Sequence, residues 1–257
     1  MKRELFLAVV AVTLSAHRLS ADTILFSNGD FAPGSWTASA PFMIQPDAPG
    51  LAYAVSTTRV VGEGDNAALV QQFTITVPSQ TFAGFYAPVF FSGFVHDPAT
   101  GGAITDFSAA IRTFPVAPPL PDDGGFGGMR LLLMQNGRLY ALSTLSPNHL
   151  TNYPEFGGFV VSDPELIRNA SSVVATDFVE LLPGVGVDEN SFPDFAGAPI
   201  AFGFGYSMTS LDLSGDGEVV IPAGFDDVSF RINVVPSPVA TTLLGLGGLA
   251  AARRRRC

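Results

Sequence analysis

The chain has 257 residues, 13 Lys and Arg against 23 Asp and Glu, and a net charge of −10. One cysteine excludes a disulfide scaffold, and the acidic balance excludes a nucleic-acid-binding surface, which needs a basic footprint for phosphates. With 22 phenylalanines there is ample material for a hydrophobic core instead.

The chain begins with a short basic region, Met1-Lys2-Arg3, and an apolar stretch from Leu5 to Leu14. Small residues follow at Ser15-Ala16 and Ser20-Ala21. This is the layout of a secretory signal peptide, residues 1–21, too short to span a bilayer. Cleavage is expected after Ala21, with Ala16 as the alternative. At the other end, an apolar run and an arginine block close the chain. Without the two ends, residues 22–235 keep six basic residues, Arg59, Arg112, Arg130, Arg138, Arg168 and Arg231, against 22 acids. The body charge is then 6 − 22 = −16, with no lysine. Such a body suits a solvated surface protein, or one that meets Ca²⁺ outside the cell. The only cysteine, Cys257, lies in the tail.

The body reads as a series of short strands. Thr23 to Phe26 is a strand, closed by the turn Ser27-Asn28-Gly29-Asp30. Ala68 to Val77 includes a clear alternation from Phe73 to Val77. Phe85 to Val95 is one buried strand or a bent pair. Asp106 to Phe114 alternates Phe107, Ala109, Ile111 and Thr113 against a second face. Pro115 to Gly128, rich in Pro and Gly, reads as an internal loop. Met129–Met134 and Arg138–Leu142 flank Gln135-Asn136-Gly137, the strongest hairpin signal in the chain. After a polar loop, Phe159 to Ser162 is a short strand. Asp163 to Asn169 reads as one or two helical turns, with Asp163 as N-cap and Pro164 at the first position. Val173 to Leu182, Pro199 to Ser210 and Glu218 to Pro222 are further strands. Phe225 to Val235 ends the body with Val228, Phe230, Ile232 and Val234 on one face. About ten short strands with Pro and Gly turns predict one all-β sandwich over residues 22–235.

The tail, residues 236–257, has three parts: a Pro-bracketed turn, an uncharged 14-residue run from Val239 to Ala252, and Arg253, Arg254, Arg255 and Arg256. The run is a short hydrophobic helix in expectation, below the roughly 20 residues that cross a bilayer core. The arginines would stay on the cytoplasmic side. With Val235, Pro236, Ser237 and Pro238 ahead of it, this layout closely resembles the PEP-CTERM sorting signal of bacterial exported proteins. Ser237 stands where that signal usually has glutamate. The resemblance implies an exosortase-type processing enzyme as partner, transient membrane anchoring by the C-terminus, and a final place at the cell surface or outside the cell.

The ends of the body carry a second resemblance. Phe26-Ser-Asn-Gly-Asp-Phe31, with Trp36 soon after, and Gly224-Phe-Asp-Asp-Val-Ser-Phe230 look like the opening and closing strands of jelly-roll modules in the carbohydrate-binding and galactose-binding-like group. In those modules the first and last strands pair, and acids there often hold a structural Ca²⁺. The resemblance implies a jelly-roll-like sandwich, with Asp30, Asp226 and Asp227 as candidate Ca²⁺ ligands. A second acidic segment, Asp212 to Glu218, spaces its acids like an EF-hand loop, but Ala223 stands where the bidentate carboxylate belongs, so a hairpin turn is expected.

No G-x-S-x-G, H-E-x-x-H or phosphate-cradling G-x-x-x-x-G-K occurs. His96 reads as an exposed turn residue. Acid pairs are numerous, so a glycan-active enzyme is the first rival reading, although no pair is singled out. Sugar binding through an aromatic platform is the expected role, with Trp36, Tyr86, Tyr140, Tyr153 and Tyr206 as candidates and Trp36 foremost, although each of them fits a half-buried core position better than a platform. The sequence thus predicts a non-enzymatic, exported surface or matrix component that binds extracellular polysaccharide. A purely structural protein is the second rival.

Overall fold

The computed structural model describes residues 22–43, 52–61, 67–77, 81–115, 126–143, 166–211 and 217–235. In chain order the strands are β1 (Asp22–Asn28), β2 (Trp36–Ala38), β3 (Phe42–Met43), β4 (Ala52–Val61), β5 (Ala67–Val77), β6 (Thr81–His96), β7 (Ala103–Pro115), β8 (Phe126–Gln135), β9 (Arg138–Leu142), β10 (Leu166–Val173), β11 (Phe178–Leu182), β12 (Gly186–Asp188), β13 (Ile200–Leu211) and β14 (Gly217–Val235). A four-residue helical turn, α1 (Pro98–Gly101), joins β6 to β7. Among the described residues no helix is long and apolar enough to cross a membrane.

The strands form the expected all-β sandwich. One sheet runs β10-β7-β14-β5-β4, with β1 also against β14; the other runs β12-β11-β9-β8-β13-β6-β2, with β3 also against β6. The first and last strands pair antiparallel from Asp22↔Val234 to Asn28↔Val228. Alternation decides which side chains face inward. On β7, Phe107, Ala109, Ile111 and Thr113 are all buried; on β14, so are Val228, Phe230, Ile232 and Val234. The core is mainly aromatic. Phe107 and Phe230 of the first sheet meet Phe202 of the second at centroid distances of 5.3 and 5.2 Å, and Phe94 stands edge-on to Phe230 at 5.5 Å.

Gln71 and Tyr206 carry polar groups across this core. Gln71, on β5, is fully buried and donates from Nε2 to the Ala87 carbonyl at 2.8 Å and the Thr57 hydroxyl at 3.3 Å. Its Oε1 accepts from the Tyr206 backbone N–H at 3.1 Å. Tyr206, on β13, returns a bond from its hydroxyl to the Gly224 carbonyl on β14 at 3.1 Å. Buried polar groups with partners on the opposite sheet fix how the two layers sit.

Several elements differ from expectation. Leu166 to Asn169 belong to β10, not to a helix, because they pair along β7 from Leu166↔Thr113 to Asn169↔Ala110. The two last strands are one: β14 passes through Pro222, which pairs with Gln72 of β5. Among the described residues β7 flanks β14 only from Pro115↔Ala223 onward, and proline is tolerated in a strand where its missing N–H has no ladder partner. Phe126 to Gly128, read as loop, pair with β13 as the start of β8. Val173 ends β10, and a 3₁₀ turn at Ala175–Asp177 separates it from β11. β13 and β14 belong to different sheets, and residues 212–216 between them, expected as a hairpin turn, lie outside the described residues. β4 was not foreseen. The signal segment 1–21, the tail 236–257, the strand at 159–162, the Asp163 cap and Tyr153 lie outside the described residues.

Candidate functional site

One end of the sandwich gathers most of the singled-out residues. β1 stops at Asn28, whose side-chain oxygen accepts from the Phe31 N–H at 2.9 Å. This Asx-type bond replaces the lost strand pairing and turns the chain. Phe31 takes φ 44°, a costly backbone for a bulky residue. Its ring is fully buried, 6.1 Å from both Phe91 and Phe225, and that burial holds the turn. The Phe31 carbonyl accepts from the Trp36 indole Nε1 at 3.2 Å, and Asn28 Nδ2 donates to the Ser35 hydroxyl at 3.1 Å. Ser92 on β6 donates to the Gly34 carbonyl at 2.8 Å.

Trp36 is therefore not in a free loop. It begins β2 opposite Phe91, and its half-buried ring packs against the core. Three other aromatic candidates are core residues: Tyr86, Tyr140 and Tyr206 are buried. Among the described aromatic residues, Phe192 has the largest exposure, 41%.

The closing strand meets this turn at a bulge. The β14–β7 register shifts between Asp226 and Ser229, and Asp227 takes φ 46°. Asp226 is buried and accepts the Asp227 N–H at 2.7 Å. The Asp227 carboxylate points outward, pairs with Arg112 Nη2 at 2.7 Å, and lies 3.0 Å from where a Cβ on Gly29 would stand. Gly29 thus leaves room for that carboxylate. On the other side, Arg59 from β4 donates to the Asp30 carbonyl at 2.9 Å.

Each of the three acids expected to ligate Ca²⁺ meets a protein partner. Asp226 turns inward, Asp227 is matched by Arg112, and the backbone of Asp30 is held by Arg59. Among the described residues, no group of three or more His, Cys, Asp and Glu converges as a metal site would require. The positive charge at this end comes from two arginines, a role that sequence spacing could not reveal because Arg59 and Arg112 are remote in the chain. The Asp212–Asp216 segment lies outside the described residues.

His96 is also corrected. It is buried at the end of β6, with Nε2 2.7 Å from the Gly102 carbonyl, and the ring fills the space where a Gly101 side chain would begin. Asp97 caps α1 through the Ala99 N–H, which folds the turn over the imidazole. Val235 ends β14 with its side chain exposed; Pro236, Ser237, Pro238 and Arg253 to Arg256 lie outside the described residues.

No family model matches the chain, and no curated protein matches it. Among solved structures, it is similar to one described as the structural basis for the promiscuous specificity of carbohydrate-binding modules from the β-sandwich superfamily. Identity is 12%, the TM-score is 0.30, and the match covers 79% of this chain and 61% of that one.

Proposed function

We propose that this chain is an exported, non-enzymatic component of the cell surface or extracellular matrix, and that its sandwich binds polysaccharide at the Trp36 end. The observation that carries the binding reading is the convergence around Trp36. A half-buried indole stands in one turn with Asn28, Asp30 and Ser35, and Arg59 and Ser92 bond to that turn. An apolar ring beside oriented polar groups is the chemistry that takes a sugar face and its hydroxyls. The same reading takes the sandwich as jelly-roll-like, supported by the pairing of β1 with β14. Export and sorting rest on residues 1–21 and on Val235 to Pro238 and Arg253 to Arg256, which an exosortase-type enzyme would process.

Depletion of the protein by insoluble extracellular polysaccharide tests the binding reading. Trp36→Ala should cut retention at least tenfold at a temperature where the variant remains folded. Equal retention of Trp36→Ala and the parent would sink it. Release of reducing ends from the same polysaccharide would favour a glycan-active enzyme instead.

A further inference from the structure

We infer that the outer edge of β4 is a strand-pairing surface for a second copy of this chain, extending the first sheet across a two-fold axis. Among the described residues, β4 pairs only with β5, from Ala52↔Thr76 to Val61↔Ala67, without a register shift. It is ten residues long, so its other side presents a regular row of backbone donors and acceptors.

Apart from one inward-facing charge, the features that blunt an edge strand are missing from β4. It has no proline, no lysine and no carboxylate, and its one charge, Arg59, is engaged with the Asp30 carbonyl. The other described edges differ. β2, β3 and β12 have two or three residues, β10 is kinked by a register shift with Ser172 at φ 54°, and β1 opens on an acid, Asp22.

Charge selects the occupant. Residues 22–235 carry −16, so two copies repel unless they meet on neutral surface. β4 and β5 together hold no acid. The exposed face of β4 is Ala52, Ala54, Ser56, Thr58 and Val60, all small or β-branched, with Val61 beside them. Antiparallel pairing of β4 with its own copy is self-complementary, which an isologous dimer requires. It would place Ser56 and Thr58 near the axis without opposing like charges.

The test uses the full chain in sedimentation equilibrium and in amide hydrogen exchange. A mass near twice 26.9 kDa is expected, with β4 amides protected in the dimer. Ser56→Glu with Thr58→Glu places like charges across the axis and should yield a monomer. Gln72→Glu, exposed on β5 one strand in from the edge, should leave the dimer intact. A monomeric parent throughout the micromolar range overturns the inference. So does a dimer whose β4 amides exchange freely, as association through the apolar tail would give. Should the double variant fail to fold, the exchange pattern of the parent alone decides. Protection of β4 that appears only when polysaccharide is added also overturns it, replacing the second copy with a glycan.

Discussion

Gln71→Leu removes a polar side chain that ties β5 to both β6 and β13. Leucine approximates the volume of glutamine, so no large cavity opens; the change is chemical. Two backbone groups on the second sheet lose a partner: the Ala87 carbonyl, bonded at 2.8 Å, and the Tyr206 N–H, bonded at 3.1 Å. A buried group left without a partner costs about 1–3 kcal/mol, so the pair costs roughly 2–6. Leucine recovers part of this, about 1–2 kcal/mol, by burying an apolar side chain where a polar one stood. The net loss is about 1–4 kcal/mol. For a domain of this size, each kcal/mol moves the melting temperature by roughly 2–4 °C. Thermal unfolding followed by circular dichroism should therefore show a drop of at least about 2 °C. Gln72→Leu, at the exposed neighbouring position, should shift it by less than about 1 °C. If Gln71→Leu melts with the parent, the two sheets are not held in register by this side chain, and the account of the core is wrong.

Two further predictions follow from backbone geometry and charge. Gly205→Ala drives a methyl into the Ala87 carbonyl on β6 and should cost more than about 2 kcal/mol, whereas Gly137→Ala, at φ 75° with nothing nearby, should cost only about 1 kcal/mol from strain. Comparable urea midpoints for the two variants would refute the close approach of β13 to β6. At the bulge, Asp227→Asn should stay within about 0.5 kcal/mol of the parent, because asparagine tolerates φ 46° and a half-exposed ion pair is worth little, while Asp227→Val should cost about 1–2 kcal/mol. In the same melts, Ca²⁺ followed by chelator should leave the parent unchanged. A drop on chelation would show that a cation, not Arg112, neutralises this end.

What was legible in the sequence follows from how strongly each strand alternates bulky apolar residues. β7 turns Phe107, Ala109, Ile111 and Thr113 inward and the second half of β14 turns Val228, Phe230, Ile232 and Val234 inward, so both could be found and faced correctly. The β8–β9 hairpin was visible because Asn136 and Gly137 both need positive φ, at 53° and 75°. β4 was missed because its inward face is Tyr53, Val55, Thr57 and Arg59, a graded mixture rather than an apolar row. Its strand character comes from pairing with β5. Likewise, Asp163-Pro-Glu is a sound local helix start, yet the residues after it lie along β7; tertiary pairing overrode the local signal. The candidate site was half legible. Asp30, Trp36, Asp226 and Asp227 do meet at one end, but no one-dimensional pattern could bring Arg59 and Arg112 to them.

The distribution of arginine also narrows the proposed ligand. In a body without lysine, positive charge is scarce, and the described arginines with known partners use it to join separate segments. Arg59 ties β4 to the Asp30 turn, and Arg112 ties β7 to the β14 bulge. Arg130 on β8 donates to the Ser207 hydroxyl on β13 at 3.0 Å. Arg138 on β9 meets Glu180 on β11 at 3.1 Å, where Ser191 donates to the same carboxylate oxygen. Each of these guanidinium groups is therefore committed to folding, and the field around the sandwich remains strongly negative, set by a net body charge of 6 − 22 = −16. An anionic polysaccharide would approach against that field, more steeply at low salt. On the proposed reading, the polymer that reaches Trp36 is a neutral one, whose contacts are ring stacking and hydroxyl hydrogen bonds. Its retention should then vary little with ionic strength, whereas binding that strengthens with added salt would mark an acidic glycan held against repulsion.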